Sequence, residues 1–153
     1  MRRPGDRLLT ALLLAGLISC GKSGDPAAEA VARLEAAADE RDAKAFLENL
    51  TADFTGAEGA DRAAAERLVR GYFAAYEALD VAISGLEIER TGESAARATF
   101  VATLTGKSGK GPGGLSLEGL LPSDSKYRFD LRLVPDGDRW KVAFAAWEPV
   151  QGP

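Results

Sequence analysis

Apolar residues recur along this chain with several periods, and each period marks a different kind of segment. Residues 8–18, LLTALLLAGLI, form an apolar run behind the basic start MRRPGDR. These eleven residues are too few to span a bilayer as a helix, which needs about 20, but they suit the core of an export signal. Residues 26–38 predict an alanine-rich helix with Ala27, Val31, Leu34 and Ala38 on one stripe. Asp25 and Pro26 supply its N-cap and first turn. Asp42 caps a second, shorter helix carrying Phe46, Leu47 and Leu50, and residues 51–60 read as a connection. Asp61 caps a third helix over residues 62–79, with Leu68, Val69, Tyr72, Phe73, Tyr76 and Leu79 as its stripe.

From residue 81 the period becomes two. Residues 81–84 read as a short strand or as the lead into the next one. LEIER (86–90) and ARATFVATLT (96–105) read as paired strands. Their expected register sets Leu86 opposite Phe100, Ile88 opposite Ala98 and Glu89 opposite Arg97. YRFDLRLV and RWKVAFAAW form a final hairpin about an Asp136-Gly137 turn. That register pairs Leu133 with Trp140, Leu131 with Val142, Phe129 with Phe144 and Tyr127 with Ala146. Trp147 then falls on the face opposite Trp140, to join a partner surface or be buried under a terminus. Residues 106–125 form a long Gly-, Ser- and Pro-containing loop with an apolar centre, as expected of a lid, a binding loop or an insertion. Three helices followed by paired strands predict an α+β domain: three N-terminal helices packed on a curved antiparallel sheet.

Composition narrows the chemistry. The chain has 153 residues, room for one domain, and contains no histidine and a single cysteine. A disulfide framework, a thiolate zinc site and a Cys–His pair are therefore excluded, and no cofactor or metal ion is implied. The formal charge of −4 is spread without a basic patch, so no nucleic-acid partner is expected. Chemistry is left to carboxylates, phenols, hydroxyls and arginines. GLISCGKS (16–23) formally matches a phosphate-binding loop, but Gly24-Asp25-Pro26 follows where its helix should run. GKGPGG (109–114) matches a dinucleotide fingerprint only in its glycines, since no helix follows it.

Leu17-Ile18-Ser19-Cys20 resembles the lipobox of bacterial lipoproteins. The resemblance implies a signal peptide over 1–19, a diacylglycerol on Cys20 and an acylated new amino terminus. A flexible leader over 20–25 and a domain over 26–149 follow. Gly21 after the cysteine implies sorting to the outer membrane, facing the periplasm.

RDAKAFLENL, TADFTG and YRFDLRLVPDGDRWKVAFAAWEP resemble the nuclear transport factor 2-like superfamily. More narrowly, the Asp-Phe-Thr-Gly segment and the closing Trp-Glu-Pro are similar to a branch of small bacterial lipoproteins. The resemblance implies a cystatin-like cone that admits a ligand between sheet and helices, often with an Asp or His base and tyrosines inside. The cavity candidates in this chain are Tyr72, Tyr76, Tyr127, Phe129, Trp140 and Asp53. Each has a plain structural alternative. The tyrosines and Trp140 would serve equally as core, and Asp53 would satisfy backbone N–H groups in a loop. No catalytic residue is assigned. The expected role is membrane-anchored binding of a small apolar ligand or an envelope protein. The alternative is a carboxylate/tyrosine acid–base enzyme of isomerase, cyclase or hydrolase type. The Arg128, Asp130, Arg132 and Lys141 face is either solvated or, as in that superfamily, builds a homodimer.

Overall fold

The computed structural model describes residues 24–110 and 124–151. The expected signal peptide, Cys20 and the centre of the 106–125 loop lie outside the described residues.

Three aspartates open the three α-helices, as the sequence predicts. Asp25 accepts the N–H of Ala27 (2.8 Å), Asp42 that of Ala45 (2.9 Å) and Asp61 that of Ala64 (2.8 Å). Each carboxylate satisfies a donor that the first helical turn leaves without an intrahelical partner. The helices are α1 (Pro26–Asp39), α2 (Ala43–Glu48) and α3 (Arg62–Ala75). The strands are β1 (Leu50–Gly56), β2 (Tyr76–Gly92), β3 (Ala95–Ser108), β4 (Asp124–Asp136) and β5 (Arg139–Pro149). They form a curved sheet in the order β1-β5-β4-β3-β2. β1 runs parallel to β5, so the sheet is mixed rather than wholly antiparallel.

β1 replaces an expected connection. Its buried Leu50, Thr51, Phe54 and Gly56 face inward, and Asn49 starts the pairing by accepting the Val142 N–H (2.8 Å). The partner strand lies almost a hundred residues away, out of reach of any local pattern.

The third helix also ends earlier than expected. Tyr76 adopts extended backbone and begins β2. Tertiary donors take the last carbonyls: Gly109 N–H bonds Ala75 O (2.9 Å) and Arg41 Nη1 bonds Tyr76 O (2.6 Å). A register shift between Tyr76 and Ala78 leaves both Tyr76 and Leu79 buried. Their spacing of three imitates a helical stripe inside a strand.

The β2–β3 register pairs Ile88 with Ala98 and Glu89 with Arg97 as expected, with a shift between Ser84 and Glu87. β3 and β4 run further into the expected 106–125 loop, to Ser108 and from Asp124. In the last hairpin Asp136 pairs with Arg139, so the two-residue turn is Gly137-Asp138 rather than Asp136-Gly137. Gly137 takes φ 66°, which that turn requires and glycine adopts at no steric cost. Leu133 pairs with Val142. A bulge then shifts the register so that Arg132 pairs with Phe144 and Phe129 with Trp147. One extra residue inverts the alternation of everything beyond it.

α1 lays Ala27, Ala30, Val31 and Leu34 into a core with Ala96, Ala98, Leu131, Leu133 and Val142. The alanines of β3 let the helix approach closely. The same helix also covers the β2 edge. Val81 N–H donates to Asp39 Oδ1 (2.6 Å) and Ile83 N–H to Glu35 Oε1 (2.9 Å). Two carboxylates four residues apart thus stand in for the carbonyls of a missing neighbour strand, which shields an edge that would otherwise invite pairing.

Candidate functional site

The concave face of the sheet carries a row of aromatic rings across three adjacent strands. Phe100 of β3 stacks with Phe129 of β4 at 5.3 Å between centroids, and Phe129 stacks with Trp147 of β5 at 6.1 Å. Tyr127, two residues before Phe129 on β4, meets it edge-on at 6.5 Å. The row exists because Phe100 pairs with Phe129 and Phe129 with Trp147 in the two ladders.

At the end of the row, α3 and the start of β2 bring in two more phenols. Tyr72 and Tyr76 have ring centroids 4.9 Å apart. Tyr76 is only 2% exposed. The glycine at position 106 makes room for it, because a Cβ there would collide with Cδ1 and Cε1 of its ring. Burial pushes the Tyr72 phenol well above its ordinary value. Its hydrogen bond with Tyr76, and then the phenolic oxygens of Tyr76 and Tyr127, push it the same way. Tyr72 therefore stays a neutral O–H donor. No carboxylate of the described residues is among the groups that shift it.

Of the residues singled out from the sequence, the structure gathers Tyr72, Tyr76, Tyr127 and Phe129. It separates the other two. Trp140 lies toward the opposite end of β5, with the Arg90 guanidinium 4.5 Å above its ring. Its carbonyl accepts from Arg33 Nη2 (2.8 Å), whose Nε also donates to the buried Asn49 (2.8 Å). Trp140 is thus partly buried core. Asp53 is exposed on β1, since the strand turns its neighbour Phe54 inward. A base in the tyrosine cluster would have to be another group.

Sequence reasoning missed Phe100 and Trp147. Strict alternation from Trp140 turns Trp147 outward, whereas the bulge turns it toward Phe129 and leaves it 41% exposed at the rim. No local pattern marks that bulge.

The opposite, convex face holds the expected charges as cross-strand pairs. Arg97 donates Nε to Asp130 (2.9 Å), and Arg128 lies 3.6 Å from Glu148. The bond from Arg97 holds the Asp130 carboxyl below the usual range. Two shallow concavities bordered by described residues have no tyrosine in their lining. One of about 340 Å³ touches Arg41, Arg70 and Phe73, and one of about 350 Å³ touches Arg62, Arg139 and Lys141. Among the described residues, no three His, Cys, Asp or Glu side chains gather as a metal site, and no helix is long and apolar enough to cross a membrane.

The fold has many solved relatives. A candidate scytalone dehydratase from Novosphingobium aromaticivorans superposes with a TM-score of 0.67 at 14% identity, over 82% of this chain and 83% of that one. A candidate dehydratase of the NTF2-like family from Streptomyces avermitilis gives 0.64 at 13% identity, over 83% and 96%. A Caulobacter vibrioides protein with a cystatin-like fold gives 0.65 at 13% identity, over 83% and 89%. At such identities the likeness is one of fold. No curated protein sequence matches the chain. The model of the SnoaL-like domain matches residues 27–145, from the first turn of α1 into β5, and the chain belongs to that family.

Proposed function

We propose that the mature protein is an envelope lipoprotein, acylated at Cys20, whose concave face binds a small, planar, uncharged ligand bearing a carbonyl or hydroxyl oxygen. The carrying observation is the aromatic row Phe100, Phe129 and Trp147 ending in the Tyr72–Tyr76 pair. Stacked rings reward a flat apolar ligand, and the Tyr72 phenol orients one oxygen of it. Among the described residues, the groups acting on Tyr72 include no counter-ion for a charged ligand. The acyl anchor is supported by the apolar run before Leu17-Ile18-Ser19-Cys20, with Gly21 favouring the outer membrane.

Titration with a graded set of probes tests the binding reading, with Trp147 emission as the signal. Uncharged aromatic ketones should bind, while matched benzoates and aliphatic ketones of equal size should bind at least tenfold more weakly. Tyr72→Phe should weaken the ketones about tenfold, the worth of one hydrogen bond of about 1.4 kcal/mol. Equal affinity for all three classes would sink the proposal.

A second reading is an acid–base enzyme, and the same phenol pair favours it. A preorganised neutral O–H can polarise a carbonyl as charge develops, and the two dehydratase-named neighbours make elimination of water the first reaction to try. It still requires a base, and neither Asp53, exposed on β1, nor a histidine, absent from the chain, supplies one. Turnover of a β-hydroxy ketone that is lost in Tyr72→Phe would favour this reading over simple binding.

A further inference from the structure

The fold sets its chain entrance and its aromatic row apart. Asp25 caps α1 and also accepts from Arg90 Nη2 (2.7 Å), and the same Arg90 covers Trp140. The β2–β3 and β4–β5 turns, between Gly92 and Ala95 and between Asp136 and Arg139, lie at this end of the sheet. Trp147 is seven residues further along β5, or roughly 20 Å at the rise of a strand. Tyr127 pairs with Pro149, farther still in the same direction.

Four residues, Gly21 to Gly24, separate Cys20 from Asp25. Fully extended they reach at most about 17 Å, and a Gly/Ser-rich leader of this length averages about 12 Å end to end. We infer that the anchored domain stands on its Asp25–Arg90–Trp140 end, with the Tyr127–Phe129–Trp147 end turned away from the bilayer. The planar ligand then arrives from the aqueous compartment and is not drawn from the lipid. This rests on the acylation of Cys20 proposed above.

The chain's only two tryptophans mark the two ends. Full-length protein is expressed in a lipoprotein-processing bacterium and recovered from its membranes as Trp140→Phe, which reports Trp147, and as Trp147→Phe, which reports Trp140. Each is placed in phosphatidylethanolamine/phosphatidylglycerol vesicles containing a lipid with a dansyl headgroup. Energy transfer to the dansyl group should quench Trp140 at least twofold more than Trp147. The acrylamide quenching constant of Trp147 should match that of a Cys20→Ser chain in solution. Equal energy transfer from the two, or a twofold loss of acrylamide access at Trp147, overturns the orientation. Intact mass separates the two ideas. An unmodified Cys20 overturns anchoring and orientation together, whereas an acylated chain with Trp147 in the lipid overturns orientation alone.

Discussion

Gly106→Ala isolates the packing that builds the tyrosine cluster. Gly106 pairs with Leu79 inside a regular ladder and has no positive φ, so alanine meets no backbone obstacle. Elsewhere in a strand the change would be neutral or mildly stabilising, because glycine weakens strands. Here the new methyl would overlap Cδ1 and Cε1 of Tyr76, a ring that is 2% exposed. Overpacking of that kind costs about 1–3 kcal/mol. For a domain of this size it lowers Tm by roughly 4 °C per kcal/mol. Urea unfolding gives the free energy, and near-ultraviolet circular dichroism shows whether the tyrosine environment changes. The decisive measurement is the cycle with Tyr76→Ala. That change alone removes a large buried ring at a cost of about 3–5 kcal/mol, but it also removes the clash. The double variant should therefore be more stable than the sum by about 1 kcal/mol or more. A neutral Gly106→Ala, or costs that simply add, would refute the placement of Tyr76 against Gly106.

Two further outcomes follow from the same structure. Tyr72 has a raised pKa, so above about pH 10 the unfolded chain releases that proton before the folded one does. Stability from this group is intact below pH 10 and falls as pH rises toward the folded value. Tyr72→Phe should flatten the alkaline limb of stability against pH and remove one late-titrating phenol from the ultraviolet titration; an unchanged limb would contradict the buried hydrogen-bonded phenol. Glu35→Ala should cost about 1 kcal/mol and speed amide exchange at Ile83, whose N–H it binds. Glu35→Gln, which keeps an acceptor oxygen, should restore most of both, and equal loss in the two variants would mean that the charge rather than the edge bond matters.

What could be read from the sequence divides by range. The caps at Asp25, Asp42 and Asp61 were legible because each depends on residues within three positions of itself. The register of Ile88 with Ala98 was legible because one short turn sets it. β1 was not, since its stability comes from Val142 at the other end of the chain. The α3–β2 boundary was hidden for a subtler reason. Tyr76 and Leu79 must both be buried, and a helix or a strand with a one-residue shift satisfies that demand equally well. Only the external donors Arg41 and Gly109 break the tie. The site has the same character. Its phenols were visible as residue types, but its composition depends on one bulge between Arg132 and Leu133. Paired without a bulge, the same strand would set Ala146 opposite Phe129 and Phe144 opposite Leu131, and Trp147 would face the charged convex side. The binding face is therefore specified by a phase change in β5, and deleting Ala143, the unpaired residue, should straighten the strand while keeping Trp147 opposite Phe129. The deletion variant should therefore keep both the ligand-sensitive emission and the Leu133–Val142 core pair, and loss of the emission would refute the reading of Ala143 as the extra residue.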